Sequence, residues 1–160
     1  MGRFQRGLNT VLVVDEAQNL DASLLEEIRL LSNFESASEK LIQIVLCGQP
    51  ELCRTLELPV LRPLRQRIAL EHHLSPLNES DTGRYMSHRI TVAGGRFDEI
   101  FKPGAEKIFH TASQGYPRLI NVLADRVLVA GFARQQRPVS LELVSATLSK
   151  LENARLAAAR

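Results

Sequence analysis

The sequence has no tryptophan, and six Phe with two Tyr bring its aromatic content to only 5%. A core must therefore be built mainly from Leu, Ile, Val and Ala. At 160 residues and 44% hydrophobic content, the chain suffices for one compact domain, or a core with a small satellite, and is too short for two full-sized domains. There are only two cysteines, Cys47 and Cys53. No second pair completes a zinc site and no secretory signal precedes them. Cys47 lies in an apolar run and is expected to be a buried thiol, and both cysteines fit a reducing cytoplasm. No run of about 18 apolar residues is present, so no segment is expected to span a membrane as a helix. Lysine is scarce too, four against sixteen Arg, although the net charge is only +2. Arginine suits bidentate contacts with phosphates and carboxylates; the plainer reading of the bias is a GC-rich genome.

The hydrophobic pattern divides the chain near Pro76. Val11-Leu12-Val13-Val14 and Leu41 to Cys47 are continuous apolar runs, as expected of strands buried on both faces of a parallel sheet. Between them Leu24, Ile28 and Leu31 repeat at helical spacing, widened by Leu25 and Phe34, with Asp21 as N-cap. Pro50 starts a short helix, Pro59 and Pro63 break the chain, and Ile68 to Leu74 alternates weakly as a third strand. Strand–helix–strand–helix–strand over residues 1–75 predicts an α/β fold with a parallel sheet and crossover helices. Residues 76–160 read as helices. Asn78 caps the first, which runs to about Val92, and Pro103 opens a second that stops before Gly115. Pro117 opens a third, to about Arg134, and Ser140 caps the last.

Four features can carry chemistry. Asp15-Glu16 emerge where a buried strand ends, the place at which open α/β sheets put ligands. In nucleotide hydrolases the first such carboxylate holds Mg²⁺ and the second polarises the attacking water; a strand followed by an acidic helix cap is the plainer alternative. Gln49, after the second strand, points to the same crevice and can orient water or contact a terminal phosphate, or else is an exposed loop amide. Arg62, Arg65 and Arg67 are placed to project, either toward a neighbouring subunit's nucleotide or as a solvated basic turn. Arg118 lies in the first turn of a helix, where the dipole disfavours a cation, which suggests an anionic partner; otherwise it is a screened surface residue. His72 and His73 alternate faces and cannot chelate one metal together. Arg126, Arg134 and Arg137 lack interleaved aromatics, and with a net charge near zero nucleic acid is not the expected partner.

Together the stretches VLVVDEAQNL, LEEIRLLSNFE, LIQIVLCGQPEL, LRPLRQRI and GYPRLINVLADR, in this order over residues 10–135, resemble the AAA+ ATPases. The closer likeness is to the ExeA/GspA-like branch, the general secretion pathway protein A group. The resemblance implies that Asp15 and Glu16 are the Walker B pair, with Asp15 toward the metal. It also implies Gln49 at sensor 1, Arg67 as arginine finger with Arg65 in reserve, and Arg118 as the sensor 2 arginine that contacts nucleotide. Residues 1–75 would be part of the AAA+ α/β core and 76–160 its helical lid. ATP and Mg²⁺ would be the ligands. A homo-oligomer through the Arg67 face would serve secretion, pilus or polysaccharide-export assembly from the cytoplasm, peripherally at the inner membrane. The alternatives are a non-catalytic module docking onto a complete ATPase, or a helper of DNA transposition.

One departure from the family matters. Its P-loop, G-x-x-x-x-G-K-[ST], cradles the phosphates, and this sequence has no such pattern: Gly2 and Gly7 are spaced correctly but are followed by Leu8-Asn9. The chain is therefore expected to represent the C-terminal part of a longer ATPase. In the family the P-loop strand lies between the sensor 1 strand and the strand near Ile68. Without it a central gap, open apolar surface and unpaired edges are expected, with weak ATP binding and no hydrolysis by this chain alone.

Overall fold

A computed structural model of the chain describes residues 10–32 and 42–158, the last seven of these by backbone only. It divides into two compact units, Met1–His72 and His73–Arg160.

The first unit runs β1 (Thr10–Val14), a 3₁₀ turn (Ala17–Asn19), α1 (Ala22–Leu31), β2 (Ile42–Leu46) and α2 (Glu51–Leu56). A second 3₁₀ turn (Pro59–Leu61) and α3 (Arg62–Arg65) follow. β1 and β2 pair in parallel, from Thr10 opposite Ile42 to Val14 opposite Leu46, with α1 in the crossover. The ladder continues past the strands: Cys47 N–H donates to the Val14 carbonyl (2.8 Å) and Ala17 N–H to the Cys47 carbonyl (2.9 Å). Asp21 caps α1 by accepting from Leu24 N–H at 2.9 Å, as the sequence suggests. α1 buries Leu25 completely against Leu61 and Leu64, with Ile28 packed at the margin. Leu24 and Leu31, assigned to the buried stripe by their spacing, are exposed instead. Phe34 and Leu41 lie outside the described residues.

Three further expectations are corrected. β1 and β2 are not buried on both faces: Val11 is 51% and Val13 59% exposed. Among the described residues each strand pairs only with the other, so the apolar run meets no covering layer on its open side. Cys47, at the end of β2, is accordingly exposed. Ile68 to Leu74 forms no strand. A strand needs backbone partners and a surface for its alternate side chains, and among the described residues this segment has neither: Leu70 and Leu74 are 85% and 84% exposed. His72 and His73 are exposed in the same stretch.

The second unit is helical: α4 (Glu79–Val92), α5 (Phe97–Ile100), α6 (Ala105–Ser113), α7 (Pro117–Ala133) and α8 (Leu141–Ala158). The caps read from sequence are in place. Asn78 accepts from Asp81 N–H (2.8 Å), Ser140 from Leu143 N–H (3.3 Å), and Pro117 occupies the first turn of α7. Met86, Phe101, Phe109, Ile120, Val127, Val144 and Leu148 form one core. The Phe101 ring meets Phe109 edge-on at 5.4 Å and Phe97 at 5.6 Å, a geometry that suits the aromatic quadrupole. The short α5, not apparent from periodicity, supplies this cluster, and Phe101 bridges to Val139 in front of α8. No described helix is long and apolar enough to cross a membrane.

The turn between α6 and α7 depends on Gly115. Its φ is +77°, and a Cβ there would lie 2.0 Å from the Leu77 carbonyl oxygen. Gly115→Ala should therefore destabilise the chain by about 2–4 kcal/mol, from left-handed strain plus a backbone clash. Asn78→Ala should cost only about 1 kcal/mol for a lost cap; denaturant unfolding of the two variants would reveal the ranking. At α1, the Leu24 N–H and then the Ser23 hydroxyl hold the Asp21 carboxyl below its ordinary value. A carboxyl whose pKa is lower in the folded than in the unfolded chain stabilises fully above the unfolded value. That contribution is lost as pH falls through the folded value. Protection of the Leu24 amide from exchange should weaken over that acidic window, and Asp21→Asn should remove the pH dependence while keeping a cap.

Candidate active site

β1 ends where its side chains leave the apolar run, and Asp15-Glu16 follow on the exposed surface. Glu16 adopts a left-handed conformation, φ 54° and ψ 34°, uncommon for a residue with a Cβ. Its N–H donates to Asp15 Oδ1 at 2.8 Å. Asn19 N–H donates to its carbonyl at 3.0 Å, and the neighbouring Ala17 is fully buried. The turn is thus fixed on both sides, and strain of this kind is a recurrent feature of functional sites.

The parallel register brings the end of β2 alongside. Gln18 Nε2 donates to Glu16 Oε2 at 2.6 Å, and Gln18 Oε1 accepts from Gln49 N–H at 3.0 Å. Asp15, Glu16 and the backbone of Gln49 therefore lie at the same end of the strand pair. The member that the motif reading overlooked is Gln18. The signal for it was an amide two residues beyond Glu16, together with a glycine, Gly48, before Gln49.

The arginines lie elsewhere. In α3 and the turn before it, Leu61 and Leu64 point inward, which turns Arg62, Arg65 and Arg67 outward. Arg67 follows α3 in a turn, its N–H bonded to the Leu64 carbonyl (2.9 Å), and does not precede a strand as expected. Its Nη1 donates to Ser32 Oγ at 3.3 Å, at the C-terminal end of α1. The ten residues of α1 separate its two ends by about 15 Å, so Arg67 lies by the end of α1 remote from Asp15-Glu16. Arg118 belongs to the second unit. It is exposed in the first turn of α7, behind the Gly115-Tyr116-Pro117 corner, and pairs with no carboxylate among the described residues. Arg137, by contrast, is paired with Glu99 at 3.3 Å.

A two-carboxylate strand end beside a second parallel strand, with a helical unit following in sequence, is the arrangement of a P-loop NTPase core segment with its helical appendage. A family model described as an AAA domain matches residues 2–56. The Thermotoga maritima RuvB Holliday junction branch migration motor superposes with a TM-score of 0.68 at 18% identity, covering 94% of this chain and 48% of that one. A substituted form of the same motor gives 0.69 at 17% identity, covering 94% and 49%; at such identity the likeness concerns the fold. The chain is similar to the AAA+ ATPases on the branch of general secretion pathway protein A. It is 48% identical over 134 residues to the protein of that name from Aeromonas hydrophila, which spans 84% of this chain and about a quarter (24%) of that protein.

The inward leucines and outward arginines of α3 should separate in a stability measurement. Leu64→Ala should cost about 2–5 kcal/mol through a cavity beside Leu25. Arg67→Ala should leave the unfolding midpoint within the scatter of surface substitutions.

Proposed function

We propose that this chain supplies the hydrolysis side of an ATP site in an AAA+ ATPase that drives assembly of a secretion, pilus or polysaccharide-export apparatus. The observation that carries this reading is the convergence of Asp15, Glu16 and Gln49 at the C-terminal end of the paired strands. In this reading Asp15 would hold Mg²⁺, Glu16 would polarise the attacking water, and Gln49 would contact the terminal phosphate. No group of three His, Cys, Asp or Glu gathers among the described residues. The donor set therefore suits an ion held by one carboxylate, phosphate oxygens and water, as Mg²⁺ commonly is.

Arg67, with Arg65 in reserve, is offered to a neighbouring subunit's nucleotide. Its place by the far end of α1 favours action between subunits in a homo-oligomer. Arg118, a cation at a helix N-terminus without a carboxylate partner among the described residues, suits an anion such as a nucleotide phosphate. Residues 76–160 act as the lid, and the assembly works peripherally at the cytoplasmic side of the inner membrane. A second reading, a non-catalytic module that docks onto a complete ATPase, is favoured by the absence of a P-loop pattern from the sequence.

The chain alone should bind ATP weakly, with or without Mg²⁺, by calorimetric titration, and should show no turnover. Robust turnover that Glu16→Gln abolishes would sink that expectation. The ATPase reading itself is tested by exchanging residues 10–135 into the Aeromonas general secretion pathway protein A in place of the matching segment. The chimera should hydrolyse ATP, and Glu16→Gln should lower its rate by about 10²-fold or more, the usual contribution of a water-activating base. An inactive but folded and assembled chimera would favour the docking module.

A further inference from the structure

We infer that Gln18 is a positioning residue that ties the Glu16 carboxylate to the loop after β2, so that the water-activating group and the Gln49 loop shift together. The inference rests on the functional reading above for the importance of Glu16 and Gln49, but the link itself is a matter of geometry.

A single side-chain amide makes both contacts: Nε2 to Glu16 Oε2 at 2.6 Å, Oε1 from Gln49 N–H at 3.0 Å across 31 residues of sequence. Its orientation is dictated by its neighbours. A backbone N–H only donates, so the amide oxygen must face Gln49; an ionised carboxylate only accepts, so the NH₂ must face Glu16. The surroundings are built to this shape. A Cβ on Gly48 would sit 2.9 Å from Gln18 Oε1 and 3.2 Å from Gln18 N, so a side chain there would press on the amide and force it to shift. Ala17 N–H on the Cys47 carbonyl anchors the two backbones, one residue before Gln18 and two before Gln49. The left-handed turn at Glu16 brings its side chain back over residue 18. A displacement of Gln49, such as a phosphate contact would produce, is thereby passed to Glu16 through one rigid planar group.

Two variants divide the link. Gln18→Met keeps the length and removes both hydrogen bonds. Gln18→Glu keeps an acceptor for Gln49 N–H but replaces the donor to Glu16 with a second carboxylate. In the 160-residue chain without nucleotide, exchange of the Gln49 amide, followed by NMR, should quicken at least about fivefold in Gln18→Met and stay near wild type in Gln18→Glu. Glu16→Ala should shift the Gln49 amide resonance in the wild-type background and leave it unmoved in the Gln18→Met background. Unchanged β1 and β2 resonances would establish that the variants are folded. Equal exchange in all three proteins, or an equal Glu16→Ala shift in both backgrounds, would overturn the inference. In the active chimera both substitutions should lower kcat at least about tenfold with KM for ATP within about twofold; a loss confined to KM would also overturn it. If the NMR link is present but Glu16→Gln leaves the chimera's hydrolysis intact, the ATPase reading fails while the Gln18 link stands.

Discussion

The parallel pairing of Thr10–Val14 with Ile42–Leu46 is the contact on which the candidate site depends. Each strand carries its polar residues just past its C-terminal end, Asp15-Glu16 on one and Gln49 on the other. Parallel pairing in this register is what sets those ends side by side. An antiparallel arrangement, or a slip of two residues, would separate them. The backbone bonds beyond the strands, from Cys47 to Val14 and from Ala17 to Cys47, carry the alignment into the turn itself. They hold Glu16 in a conformation that it would not keep unaided.

The same unit shows what so small a sheet leaves open. Apolar strand residues that belong to the interior of a wider sheet are exposed on β1 and β2, whereas α1 and α3 enclose a compact cluster about Leu25, Leu61 and Leu64. That small cluster has a structural consequence. With Leu61 and Leu64 turned inward, the intervening and following arginines project from the surface, and Arg67 reaches Ser32. The helical unit is more self-sufficient, its core running from Met86 through the phenylalanine group to Leu148. Gly115 and Leu77 meet in it so closely that no side chain fits, which holds the corner that presents Arg118.

Much of this was legible beforehand. Caps at Asp21, Asn78 and Ser140 and the proline start of α7 follow from local chemistry, because a short polar side chain before an apolar repeat satisfies free helix N–H groups wherever it occurs. The carboxylate pair after an apolar run was equally plain. Where the reading failed, the missing information was a neighbour. Ile68 to Leu74 alternates as a strand does, but no partner edge lies beside it among the described residues. Leu24 and Leu31 keep helical spacing, but the surface facing α1 reaches only Leu25 and Ile28. Cys47 sits in an apolar run, but its strand is not enclosed.

Local pattern alone therefore sufficed for the two strands, the longer helices and their caps, since these rest on interactions within a few positions of the chain. It could not supply the Gln18 link, the left-handed turn at Glu16, or the short α5 that brings Phe97 and Phe101 to the second core. Each of these is a contact, or the consequence of a contact, between segments up to several tens of residues apart. Such a contact exists only once the packing of the folded chain has brought the two segments together.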